Sequence, residues 1–225
     1  GSALGIYEGI KSIGKECYFV LNEVNKPIEN IYNRTVEDLE GFRENVVTEI
    51  KALELMDQGS LVIVTDNHRK NSTEAPSLID RTEPIVIIDH HRRGNDYIRN
   101  ATISYIEPYA SSASELVTEI LNYFDESFKA RVPVAEALLA GLTVDTKNFV
   151  YQTGVRTFEA ASYLKKIGAD TVETKMLFKS NVEDFIARAD IIKNTKIINK
   201  RICIAYSESE ISNINVVIAK AADEL

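Results

Sequence analysis

A chain of 225 residues, 44% of them apolar and 27% charged, is long enough for one large domain, or one domain and part of another, around a true core. Its formal charge, 26 − 34 = −8, shows none of the basic excess on which a general binder of long nucleic acid relies, and argues against that class. Two well-separated cysteines in apolar runs, Cys17 and Cys203, and no apolar stretch near the ~18 residues of a membrane span point to a reducing, cytoplasmic setting without membrane contact by this fragment.

Ala3, Tyr7 and Ile10 share one helical face that Gly14 closes, and residues 17–21 (CYFVL) read as a buried strand. A sheet of this kind feeds its helices from preceding strands, so a helix at the very start predicts truncation before it. Thr35, Glu37 and Asp38 open a predicted helix that Leu39, Phe42, Val46, Ile50 and Leu53 continue until Gly59. Residues 61–65 (LVIVT) and 85–88 (IVII) are continuous apolar runs, as in central parallel strands. Ser111 or Ser112 caps a helix reaching about Tyr123, and Pro133 opens the next, with Val134, Ala137, Leu138 and Leu142. Phe158, Ala161, Leu164 and Ile167 make a further stripe, closed by Lys165, Lys166 and Gly168.

Residues 170–195 read as two short helices, the second capped near Asn181. Ile197–Ile198 and residues 201–205 then suit a hairpin about Asn199 and Lys200, and Ile218, Ala221, Ala222 and Leu225 form a last helix. The fold class is α/β: a mostly parallel sheet with helices on both faces in 1–155, a helical linker at 156–194, and the start of a smaller α/β domain at 195–225.

Two apolar strands end in acid, the first in Asp66-Asn67-His68-Arg69 and the second in Asp89-His90-His91-Arg92-Arg93. Ligands of open α/β sheets bind beyond the carboxyl ends of the strands, so both clusters face one crevice. A third acid, Asp145, follows the apolar segment 137–144. An acid after a strand is commonly a turn former, and Asp145 alone reads as a solvated helix end. The ordered set carries more weight, because all three histidines of the chain fall in the two strand-end clusters. Carboxylates with imidazoles suit Mn²⁺, and less typically Zn²⁺ or Co²⁺. Two such ions clamp a phosphoryl group and activate water.

IVIIDHHRR resembles the signature of the DHH superfamily of phosphoesterases, VTDNHR at 64–69 its second motif and GLTVDTKNF at 141–149 its fourth. EPYASSASELVTEIL at 107–121 is similar as well. The likeness runs strongest to the catalytic region of membrane-tethered cyclic di-AMP phosphodiesterases of Gram-positive bacteria. It implies two Mn²⁺ ions, with Asp66, His90 and Asp145 as metal ligands, His91 beside the scissile phosphate and Asp89 orienting His90. It also makes His68, Arg69 and Arg92 candidate phosphate contacts. The implied activity is hydrolysis of a cyclic dinucleotide to a linear one, with an oligoribonuclease or adenosine bisphosphate phosphatase of the same superfamily, or a non-catalytic nucleotide-sensing module, as the alternatives. A homodimer stays open. The family's Asp-x-Asp motif is expected just before Gly1 and its glycine-rich substrate segment after Leu225, so this fragment alone is expected to hydrolyse poorly.

Overall fold

The computed structural model describes residues 1–81, 84–124, 128–178, 182–207 and 214–225. They fall into two compact units, Gly1–Leu177 and Phe178–Leu225. In the first, helix α1 (Ser2–Ser12) leads to strand β1 (Phe19–Val20), and α2 (Lys26–Asp38), α3 (Phe42–Asn45), β2 (Val46–Val47) and α4 (Glu49–Leu55) follow. The parallel pairs Phe19 with Val46 and Val20 with Val47 join β1 to β2. The single helix expected from Thr35 to Gly59 is therefore not formed. Its apolar spacing is real, but Gly41 takes a left-handed φ of 75° and the β-branched Val46 and Val47 extend to pair.

The central sheet is β3 (Val62–Thr65), β4 (Ile85–Asp89) and β5 (Ile103–Ile106), in that order and all parallel, with α5 (Pro76–Arg81) between the first two. Alternation along β4 explains its unbroken apolar sequence. Ile85 and Ile87 pack with Ile79 of α5, while Val86 and Ile88 join the larger core on the opposite face. Helices thus cover both faces. Strand β5 has little signature in the sequence: a partly exposed edge strand of four residues leaves only a faint apolar signal.

On the larger face lie α6 (Ala113–Phe124), α7 (Val132–Asp145), α8 (Val155–Lys166) and α9 (Thr171–Met176). The N–H of Glu115 donates to Ser112 Oγ at 3.0 Å, which identifies Ser112 as the cap of α6. Helix α7 is buried on nearly every side, with Val134, Leu138 and Leu142 inaccessible to solvent. Each such side chain contributes about 1.5–3 kcal/mol by burial. Gly5 and Gly9 let α1 lie close upon α6 and α7: a Cβ on Gly5 would stand 2.8 Å from a Val117 methyl, and one on Gly9 2.8 Å from Leu121.

In the second unit, α10 (Val182–Lys193) and α11 (Ile214–Glu224) pack through Ile191, Val217 and Ala221. A hairpin joins β6 (Lys196–Ile198) to β7 (Ile202–Ile204) through three residues, with Asn199 and Lys200 at positive φ of 52° and 56° inside the turn that Arg201 N–H closes on the carbonyl of Ile198 at 3.1 Å. The cap expected near Asn181 lies outside the described residues. Among the described residues no helix is long and apolar enough to cross a membrane.

Candidate metal centre at the strand ends

Strand β3 passes straight into Asp66, whose φ of 61° is left-handed and whose N–H still donates to the carbonyl of Ile88 at 2.9 Å. Aspartate is among the few residues that tolerate this turn. One strand over, β4 delivers Asp89, His90 and His91 to the same sheet edge. His90 Nε2 lies 3.4 Å from Asp66 Oδ1 and 3.8 Å from Asp145 Oδ2, and His91 Nδ1 lies 4.0 Å from Asp66 Oδ1. Candidate ligand atoms of Asp66, His90 and His91 all fall within 4.8 Å of one another. Asp145 joins them from the last position of α7.

Asp89 is wholly buried beneath this cluster. Its Oδ1 accepts the backbone N–H of His90 at 2.7 Å, that of His91 at 3.1 Å, and Nδ1–H of His91 at 2.8 Å. Its Oδ2 accepts from Nδ1 of His68. Asp89 thus reaches His90 through the backbone, and its imidazole partners are His68 and His91. His68, 1% exposed, also receives the Gly94 N–H on Nε2 at 3.4 Å. A neutral ring with its proton on Nδ1 meets both demands. The carbonyl of His68 in turn accepts from Ile98 N–H at 2.9 Å, tying the 91–99 loop to the strand end.

Electrostatics distinguish the carboxylates. Burial would raise the Asp89 pKa, but the hydrogen bonds from His91 and His68 more than offset it and hold it below the usual value. Asp145 is pushed up to about 6, first by burial and then by the nearby Asp66 charge. Burial works to lower the His90 pKa, yet Asp66, Asp145 and Asp89 hold it above the ordinary imidazole value. Carboxylates so crowded, with imidazoles at their side, form a donor set that a divalent cation fits, since its charge relieves their repulsion.

The basic residues sit further out. Arg69 turns to Asp96, Nε to Oδ1 at 3.4 Å, and Arg92 is exposed. Two features of the site leave little trace in the sequence. The pairing of His68 with Asp89 spans 21 positions and has no linear signal. The aromatic group of Tyr109, Phe149 and Phe158 lies just downstream of β5 and α7, and aromatic residues flanking the acidic motifs were the available hint.

Segment 147–149 closes the region. Lys147, Asn148 and Phe149 have φ of 47°, 60° and 63°, three left-handed residues in succession, none of them glycine. The buried Thr146 holds them: its Oγ accepts from Phe149 N–H at 2.9 Å, and its carbonyl accepts from Val150 at 2.9 Å and Tyr151 at 2.8 Å.

The chain has relatives among known proteins. The chain is 38% identical, over its whole length, to the cyclic-di-AMP phosphodiesterase GdpP of Bacillus subtilis (strain 168), of which it spans 35%. It is 34% identical to the cyclic-di-AMP phosphodiesterase PdeA of Listeria monocytogenes serotype 1/2a (strain 10403S), again over its whole length and 34% of that protein. The chain therefore spans about a third of the length of these curated relatives. Among solved structures, an exopolyphosphatase-related protein from Bacteroides fragilis superposes with a TM-score of 0.69, covering 88% of this chain and 57% of that one, and at 17% identity it speaks for the fold alone. The model of the DHH family, N-terminal domain, matches residues 1–142, a span that takes in both strand-end clusters, and the chain belongs to the DHH family.

Proposed function

We propose that the protein containing this chain is a metal-dependent phosphodiesterase that opens cyclic di-AMP to a linear dinucleotide. The observation that carries the reading is the convergence of Asp66, His90, His91 and Asp145 at one sheet edge, in a chain whose relatives are named for that substrate. In this reading Asp66, His90 and Asp145 hold Mn²⁺, two ions in the complete protein. A divalent ion there supplies Lewis acidity and charge neutralisation for phosphoryl transfer. Asp89 fixes the backbone of the His90–His91 turn and the tautomer of His91, whose Nε2 then keeps its lone pair. His91 lies beside the scissile phosphate. Arg69 and Arg92 meet the phosphates from the rim, and His68 acts as the anchor of Asp89 rather than as a substrate contact. Water adds to phosphorus, the bond to one ribose oxygen breaks, and the proton ends on the released hydroxyl. The division into 1–155, 156–194 and 195–225 belongs to the same proposal.

The test is Mn²⁺-dependent hydrolysis by the full-length protein, with cyclic di-AMP and linear pApA compared and His90→Ala beside it. Turnover of cyclic di-AMP that His90→Ala abolishes supports the proposal. Cleavage of pApA alone moves the function to an oligoribonuclease, and silence on both with Mn²⁺ still bound moves it to a sensing module.

A further inference from the structure

A cavity of about 580 Å³, within the usual range for small-ligand sites, is lined by Pro108, Tyr109, Phe149, Val150, Gln152 and Phe158, with Thr153 and Gly154 completing it. None of these residues is charged. The rings of Phe149 and Phe158 lie parallel within 18°, their centroids 5.9 Å apart. Tyr109 is 93% exposed and Phe158 58%, an unusual outlay of aromatic surface to water.

Both walls hang from the candidate metal centre. The segment that brings Pro108 and Tyr109 begins at Glu107, whose N–H donates to the carbonyl of Asp89 at 2.9 Å. The wall of Phe149 and Val150 is pinned to Thr146, the neighbour of Asp145. The two chain segments that build the cavity are thus fixed to the residues Asp89 and Thr146 of the candidate centre, next in sequence to His90 and Asp145. The chemistry of the walls selects a flat, neutral, π-bearing group with polar edges, for which the Gln152 amide and Thr153 hydroxyl are suitable partners. We infer that this cavity is a nucleobase subsite, in which one base of the substrate stacks against Phe158 and Tyr109. The inference rests on the phosphodiesterase reading for its ligand.

The chain contains no tryptophan, so Phe158→Trp places a single reporter in the cavity at an exposed position. Adenosine 5′-monophosphate is titrated in Mn²⁺ and again in EDTA, with ribose 5-phosphate as the base-free control. Saturable quenching by the nucleotide, about tenfold tighter than any response to ribose 5-phosphate, is expected, as is a roughly tenfold loss of nucleotide affinity on adding Tyr109→Ala. Mn²⁺ affinity, read by electron paramagnetic resonance of the free ion, is expected to stay unchanged in both variants. Equal binding of ribose 5-phosphate, or nucleotide affinity within twofold after Tyr109→Ala, overturns the subsite. So does emission that shifts with protein concentration alone, which would make the patch a contact between copies. The two readings fail separately. No Mn²⁺ binding, with quenching retained in EDTA, removes the metal reading and keeps the cavity. Mn²⁺ binding without quenching in either buffer removes the cavity.

Discussion

Replacing Asp89 by asparagine keeps its shape and disrupts the network beneath the candidate metal centre. The amide oxygen can still accept from His90 N–H, His91 N–H and His91 Nδ1–H, but an NH₂ group then faces Nδ1 of His68. If His68 keeps its proton on Nδ1, donor meets donor. If the proton moves to Nε2, that nitrogen opposes the N–H of Gly94, 3.4 Å away. Either way a buried donor goes unpaired, at about 1–3 kcal/mol. Loss of the anion also weakens three remaining bonds by some tenths to about 1 kcal/mol each. Relief from burying a charge opposes this, but the depressed pKa of Asp89 shows that the fold favours the charged form on balance. The net loss is about 3 kcal/mol, or about 6–12 °C in Tm for a chain of this size. Urea unfolding in EDTA measures it with no cation present. His91→Ala, at a side chain 57% exposed, is expected to cost about 1 kcal/mol or less, and His68→Phe in the Asp89→Asn background should recover part of the loss. An Asp89→Asn variant within 0.5 kcal/mol of the parent, a margin of ordinary surface substitutions, would refute the reasoning.

Gly5→Ala gains roughly 1 kcal/mol of helix propensity but drives a methyl against Val117 and Leu138, so we expect a net loss of about 1–2 kcal/mol by denaturant midpoint; a gain would show that α1 shifts freely. Glu136 is buried, its Oε2 lying 2.6 Å from Arg34 Nη2 without hydrogen-bond alignment, and burial raises its pKa. An acid with a raised folded pKa loses stability as pH climbs from its unfolded value through its folded one, so Glu136→Gln is expected to grow more stable relative to the parent between pH 5 and pH 8; unfolding at both values reads the slope, and an opposite slope discards the assignment. Saturating Mn²⁺ is expected to raise the Tm of the parent, by about 2.7 kcal/mol of stability at a hundred times Kd, reversibly with EDTA. Asp66→Ala should abolish that shift, and an undiminished shift would place the ion elsewhere.

The parts of the fold legible in the sequence are those where one physical demand dominates. Strand β4, and β3 more shallowly, pack apolar side chains against a core on each face, so their apolar runs are unbroken, and the acids that end them stand out by contrast. The hairpin at 199–200 and the Ser112 cap announce themselves through turn and cap chemistry. Between residues 35 and 55 two demands compete. The helical spacing of Leu39, Phe42, Val46 and Ile50 is genuine, but Val46 and Val47 pair with a strand 27 positions away, which no local window contains. At the site, residue types revealed that Asp66, His90 and Asp145 belong together, while the partners of Asp89 and the depth of His68 follow from tertiary packing alone.

The left-handed turn at Lys147–Asn148–Phe149 has a consequence for evolvability. Glycine at any of these positions would relieve about 1–2 kcal/mol of steric cost in the folded chain. It would also enlarge the unfolded ensemble and let the turn wander in the native one. Keeping side chains there trades stability for a stiff corner, so the stretch beside Asp145 is a place where thermostabilising substitutions are easy to find and liable to blur the cavity they border.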